Sequence, residues 1–156
     1  MSAIDSFITL MPELKEFTEK YQEVFERLRE LAEDKSWRVR YTLVLKYPEL
    51  RNLIDAEEIE KKLLPDLNIF LDDREPEVRM VAASIISKMF ASDHPEHLST
   101  FFNDKMWDRI ENLLETCDSD MGSTMVEEIG KISPLLSDKQ YKENFIPFLD
   151  RVLKNS

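Results

Sequence analysis

Residues 34–43 read DKSWRVRYTL, and residues 72–83 read DDREPEVRMVAA. Asp34 and Arg40 align with Asp73 and Arg79 without a gap, at a spacing of 39 residues. In both stretches a short polar turn leads into apolar residues at the spacing of a helix face. The repetition also includes the helix before each turn, where the matching apolar pairs are Phe25 and Leu64, Leu28 and Leu67, and Leu31 and Phe70.

Helical periodicity continues through most of the 156 residues. Good helix formers are abundant, and the two glycines leave little material for tight β-turns. Pro12 is expected to end the first helix, and Pro48 to kink or end the third. We predict an all-α fold, a right-handed α–α superhelix of about eight antiparallel helices forming one domain. The predicted helices span about 3–11, 18–33, 36–47, 56–71, 76–91, 104–117, 121–136 and 138–154.

The helices group into units of about 40 residues, the pattern of a helical solenoid in which neighbouring pairs stack to bury a continuous core. Asp118 keeps the turn position of the third repeat, where Ser123-Thr124 replaces Val-Arg, and Pro147 aligns with Pro65. We expect a piece of a longer array, or a truncated relative, whose apolar end helices favour end-to-end association. The units are a half repeat at 3–11, repeats at about 18–50, 58–91 and 104–136, and a half repeat at 138–154.

Residues 63–85, LLPDLNIFLDDREPEVRMVAASI, resemble a HEAT repeat. The resemblance rests on Pro65 early in the first helix, Asp73 at the turn, and Val78-Arg79 at the start of the second helix. In such repeats the aspartate and arginine typically form a ladder of charge-assisted hydrogen bonds between stacked turns. The resemblance therefore implies a structural ladder made of Asp34, Arg40, Asp73 and Arg79.

Residues 31–43, LAEDKSWRVRYTL, are similar to a turn region of the scaffold (A) subunits of protein phosphatase 2A. The similarity extends over about residues 20–90. It implies a non-catalytic, cofactor-free array whose intra-repeat turns bind a B-type regulatory subunit, while the repeats that bind the catalytic subunit are absent from this chain. By position, the partner-binding residues would be Lys35, Ser36, Trp37, Arg38, Arg74, Glu75, Pro76 and Glu77.

Trp37 has two interpretations. An aromatic residue flanked by Lys and Arg in a turn is typical of an interface anchor. Alternatively, the indole folds back over its own helix ends and closes the core. The family resemblance favours the first interpretation.

The charge of the chain restricts its partners. The net charge of −11 argues against nucleic acid and anionic membrane surfaces as partners.

No apolar run approaches membrane-spanning length, and the N-terminus lacks the basic start of a signal peptide. A single cysteine, Cys117, fits a reducing compartment. We therefore expect a cytoplasmic protein, with the nucleus also compatible.

No residue pattern predicts catalysis, a metal or a cofactor. His94 and His97 form an H-x-x-H pair with Pro95 between them and no third ligand nearby, which favours a solvated loop. Residues 118–128 resemble a calcium loop, but the glycine is one position early and Ile129 stands where a glutamate ligand is needed. The leading hypothesis is a phosphatase scaffold. The alternatives are a HEAT adaptor of transport or condensin type and, less favoured, a small helical enzyme.

Overall fold

The computed structural model describes residues 3–90 and 101–155. Within these ranges it contains nine helices and no β-strand, which confirms the predicted all-α class. The superhelical winding stays a prediction. The helices are α1 Ala3–Leu14, α2 Thr18–Ala32, α3 Trp37–Arg51, α4 at 56–71, α5 Pro76–Ser84, α6 Ile86–Met89, α7 Asp104–Thr116, α8 Ser119–Ile132 and α9 at 138–155.

The chain divides into two compact units, Met1–Ile85 and Ile86–Ser156. The boundary falls inside the predicted helix 76–91, which ends at Ser84 and resumes at Ile86. The Ser84 hydroxyl donates a 2.8 Å hydrogen bond to the carbonyl of Val81, a local bond that competes with regular helix geometry. The predicted single array from end to end stays a prediction.

The first unit is a stack of helices around one apolar core. α3 packs against α2 and α5, α1 packs against α2 and α3, and the second half of α4 packs against α5. Fully burying one such large apolar side chain contributes about 1.5–3 kcal/mol. The side chains with no exposure include Met11, Leu43, Val44, Tyr47, Leu50, Leu67, Phe70, Leu71, Val78 and Ala82.

The second unit has an aromatic core. α8 packs against α6 and α7. Phe102 lies 5.4 Å from Phe90 and 5.5 Å from Trp107, which in turn lies 5.8 Å from Phe148 of α9, all between ring centroids. Contacts at these distances add to the area that the rings bury. The rings therefore join α7 and α9 within this unit.

A buried carboxylate fixes α6 to α8. Glu128 is 6% exposed and accepts hydrogen bonds from the Ser87 backbone N–H at 3.0 Å and from Lys131 at 2.6 Å. Burial raises the pKa of Glu128, but these hydrogen bonds and the charge of Lys131 outweigh it and hold the pKa below its ordinary value. The carboxylate therefore stays ionised at neutral pH.

Two prolines do not act as predicted. Pro12 lies inside α1, which continues to Leu14, and Pro48 lies inside α3, which continues to Arg51. The prediction that Pro12 ends the first helix was wrong, and so was the alternative that Pro48 ends the third. The other alternative, a kink at Pro48, stays a prediction. Tertiary burial explains the longer α3, because Leu50 beyond Pro48 is fully buried and its packing offsets one lost backbone hydrogen bond.

Two other prolines each follow a π-helical turn. In α4, Ala56–Glu58 is followed by the wide turn Ile59–Leu63, and the Leu64 N–H bonds to the carbonyl of Ile59. In α9 the wide turn is Tyr141–Phe145, 82 residues further on, and the Ile146 N–H bonds to the carbonyl of Tyr141. The next residues are Pro65 and Pro147, which cannot donate and would clash with a carbonyl four residues earlier.

The helix starts before these wide turns also correspond. Asp55 caps α4 by accepting from the Glu58 N–H, and Ser137 caps α9 by accepting from the Gln140 N–H. Cap, wide turn and proline thus occur in the same order at the same spacing in both units. The alignment of Pro147 with Pro65 in the sequence has a local structural counterpart.

Candidate functional site

The two turns that repeat in sequence have the same hydrogen-bond pattern. The Asp34 carboxylate accepts the Ser36 backbone N–H at 2.7 Å, and the Asp73 carboxylate accepts the Glu75 backbone N–H at 2.9 Å. Ser36 is the N-cap residue of α3, but its side chain makes no capping hydrogen bond. The aspartate two residues earlier therefore orders the entry into each helix.

Arg40 connects the two turns. Its Nε donates to Asp73 Oδ2 at 2.6 Å and its Nη2 to Asp73 Oδ1 at 2.7 Å, which is a bidentate pair. Its Nη1 donates to the backbone carbonyl of Asp34 at 2.7 Å. The side chains of Arg40 and Asp73 are only 6% and 7% exposed. The guanidinium thus holds its own turn and the carboxylate of the next turn together.

Arg79 repeats the backbone part of this arrangement, since its Nη1 donates to the carbonyl of Asp73 at 2.7 Å. Among the four predicted ladder residues, the side chains of Arg40 and Asp73 meet. Arg40 donates to the backbone carbonyl of Asp34, whereas the Asp34 carboxylate accepts the Ser36 N–H within its own turn. The ladder contact in this unit therefore joins consecutive turns.

The electrostatics of the pair follow from its contacts. Burial raises the pKa of Asp73, but the hydrogen bonds from Arg40 and from the Glu75 N–H, with the charge of Arg40, lower it below its ordinary value. The hydrogen bond to Asp73 raises the pKa of Arg40 against the opposing effect of burial. Both groups remain charged over the whole neutral range, so the bridge persists there.

Trp37, the first residue of α3, is half-buried. Its ring packs edge-on against Tyr41 with centroids 6.1 Å apart, and the Arg38 guanidinium lies 4.7 Å from the ring centroid. Both neighbours belong to α3. A stacked arginine on an aromatic ring is pre-organised for contact with a carboxylate or a carbonyl.

The second turn lies next to the first. Arg74 donates from Nη2 to the carbonyl of Lys35 at 3.2 Å. Glu75 is half-buried, and the remaining predicted contact residues are exposed apart from Trp37. We call this set the turn surface: Lys35, Ser36, Trp37, Arg38, Arg74, Glu75, Pro76 and Glu77.

Buried polar pairs elsewhere in this unit were not predicted from the sequence. The Tyr47 hydroxyl donates to Asp66 at 3.1 Å, and both residues are buried. Burial raises the pKa of Asp66, and the hydrogen bond from Tyr47 opposes it only in part. The Tyr21 hydroxyl donates to Glu58 at 2.6 Å. A tyrosine within an apolar stripe is the one sequence signal for such pairs, because a buried hydroxyl requires a partner.

Two stretches of the sequence were weighed as metal sites, His94 with His97 and residues 118–128. In residues 3–90 and 101–155 no three His, Cys, Asp or Glu side chains come together in a way that could hold a metal ion. His94 and His97 lie outside the described residues. The calcium-like stretch begins with Asp118 as N-cap, accepting from the Met121 N–H at 2.9 Å, and continues as α8. Cys117 is half-buried.

The chain matches no protein-family model, and no curated protein is significantly similar to it in sequence. None of the helices in the described ranges combines the length and apolar character that crossing a bilayer requires.

Proposed function

We propose that this chain is a non-catalytic, cofactor-free scaffold that binds a partner protein through the turn surface. The observation that carries the proposal is the Arg40–Asp73 bridge. Because it fixes two successive turns side by side, the exposed groups of both turns form one surface instead of two independent loops. Rigid placement of contact residues reduces the ordering cost of binding.

The chemistry of this surface supports an acidic or carbonyl-rich partner segment. Lys35, Arg38 and Arg74 are exposed, and Arg38 is already stacked on the Trp37 ring. Tryptophan and arginine are the residues most often found at the energetic centres of protein interfaces. The turn surface carries three cations against the two carboxylates of Glu75 and Glu77, and the chain as a whole has a net charge of −11. That excess of negative charge favours a protein over a nucleic acid as the partner.

The partner we propose is the B-type regulatory subunit of a protein phosphatase 2A type enzyme. The support is the resemblance of residues 31–43 to that scaffold family, together with the repeated turn geometry at the residues that the resemblance assigns to binding. A reducing compartment, cytoplasm or nucleus, fits the single cysteine.

The test is direct binding of the purified chain to a purified B-type regulatory subunit. The Trp37→Ala/Arg38→Ala variant should bind at least about thirtyfold more weakly, the effect of losing roughly 2 kcal/mol at an interface centre. A matched control is Phe17→Ala/Arg27→Ala, which removes an exposed aromatic and an exposed arginine of the same unit away from the turn surface.

Wild type and control should bind alike. Absence of binding by the wild type, or equal binding by both double variants, would refute the proposal. Loss of binding to a partner from another pathway in the Trp37→Ala/Arg38→Ala variant would instead support the adaptor hypothesis.

A further inference from the structure

The second unit has an apolar groove that the proposed function does not use. Helices α7, α8 and α9 enclose about 630 Å³. Its apolar lining comes from Leu114, Val126, Phe148 and Val152. Leu153, which follows Val152 on α9, is 74% exposed. An apolar surface of this kind, bordered by polar residues, is typical of an interaction site.

The border of the groove is acidic. Glu115 of α7 and Glu127 of α8 line it, together with an ion pair between Glu111 and Arg151. Among the lining residues three glutamates therefore face one arginine. Glu127 also contacts Lys131 at 2.8 Å, but both side chains are about half exposed or more, so the pair is weak. The border retains a net negative charge.

We propose that this groove binds an amphipathic helix of a partner protein, with lysine or arginine beside its apolar face. Apolar side chains at helical spacing i, i+3 or i+4, and i+7 would enter the groove, as in other helix-in-groove complexes. The cationic side chains would contact Glu115 and Glu127. Charge complementarity selects this occupant, because an acidic or neutral helix would leave the border carboxylates without a counter-charge.

This site is separate from the turn surface. The groove is built wholly from residues 111–152, whereas the turn surface lies in residues 35–77. The two proposals can therefore fail independently.

The probe for the test is a fluorescein-labelled 14-residue peptide of leucine and lysine, with leucine at helical spacing. A second peptide has glutamate at every lysine position, and a third has alanine at every leucine position. Fluorescence anisotropy with the full chain at about 0.1 M salt measures binding. The leucine–lysine peptide should bind at least about tenfold more tightly than either of the others.

Two variants of the chain complete the test. Glu115→Lys/Glu127→Lys should weaken binding of the leucine–lysine peptide about tenfold, since two attractive contacts become repulsive. The matched control Glu13→Lys/Glu23→Lys changes the net charge equally through exposed helical glutamates of the other unit and should bind as the wild type does. Circular dichroism verifies that both variants keep their helical content.

Three results would overturn the proposal. The first is that both double variants weaken binding of the leucine–lysine peptide equally, and the second is that the lysine and glutamate peptides bind equally well. The third is that the wild type self-associates, that Val152→Asp abolishes this self-association, and that the peptide does not compete with it. The last result would assign the groove to a second copy of the chain.

Discussion

The Arg40–Asp73 bridge provides the sharpest test of how the first unit is held together. The Arg40 side chain is 6% exposed in the wild type, and Asp73→Ala leaves its guanidinium bonded only to backbone carbonyls, the nearest being that of Asp34 at 2.7 Å. Breaking a buried pair by removing one partner typically costs about 3–5 kcal/mol. Since those carbonyls still accept, we expect about 3 kcal/mol. Arg40→Met should cost about 2 kcal/mol, because the Asp73 carboxylate keeps the Glu75 N–H.

The double variant Arg40→Met/Asp73→Ala removes both charges. It should cost little more than either single change, so the coupling energy between the two sites is expected to be about 2 kcal/mol. The magnitude follows from geometry, since two short bonds lie in a position with almost no exposure. An exposed ion pair would give less than about 1 kcal/mol.

Urea denaturation followed by fluorescence measures these energies. The chain has two tryptophans, one in each unit, so the Trp107→Phe background makes Trp37 the reporter of the first unit. Among the described residues that substitution breaks no hydrogen bond, because the Trp107 Nε1 is buried there without a partner. At about 1.5 kcal/mol per molar urea, a loss of about 3 kcal/mol lowers the midpoint by about 2 M.

The pH dependence of the same variants gives an independent check. The folded-state pKa of Asp73 is lowered, so its contribution is complete above the unfolded value of about 3.9 and is lost as pH falls through the lower folded value. The stability advantage of the wild type over the double variant should therefore shrink in that acid range. Single costs below about 1 kcal/mol that add in the double variant would refute the reasoning.

Two further predictions concern other sites. Asp66→Asn should stabilise the chain at pH 7 but not at pH 3, because the raised folded-state pKa makes ionisation of Asp66 costly only above its unfolded pKa. Thermal melts of the variant and the wild type at both pH values measure this. An equal difference in melting temperature at the two pH values would contradict it. Gly130→Ala should raise the melting temperature by roughly 2–5 °C in calorimetry, because alanine favours the helix over glycine and nothing lies within 4 Å of the added Cβ at this exposed helical position. A lower melting temperature for the variant would contradict it.

Much of the local structure could be predicted from periodicity and turn chemistry. The start of α3 after residues 34–36 and of α5 at Pro76 follow from polar turn residues before an apolar stripe. Asp118 as the N-cap of α8 is of the same kind. These signals lie within a few residues of the structure that they specify.

Features that depend on tertiary packing could not be predicted in this way. Pro48 removes one backbone donor from α3, and the burial of Leu50 beyond it offsets that loss. Leu153 is an apolar residue of the predicted helix 138–154, yet it is 74% exposed. Val126, in the predicted helix 121–136, lines the groove. Periodicity identifies a candidate apolar face, but neighbouring elements decide whether it is covered.

The predicted ladder residues show the same limit. The sequence places Asp34, Arg40, Asp73 and Arg79 in equivalent positions, but their equivalence does not reveal which carboxylate each guanidinium contacts. The structure joins Arg40 to the aspartate of the next turn, 33 residues later. That choice depends on how α3 packs against α5, which no local pattern contains.

The π-helical turns before Pro65 and Pro147 constrain the length of their helices more than their composition. A turn closed over five residues instead of four contains one additional residue, and one residue of α-helix corresponds to about 100° of rotation. In α4, that extra residue sets the direction in which the side chains after residue 64 point around the helix axis. Deletion of Glu60, an exposed residue of the wide turn, would therefore rotate Leu67 and Phe70 away from the core.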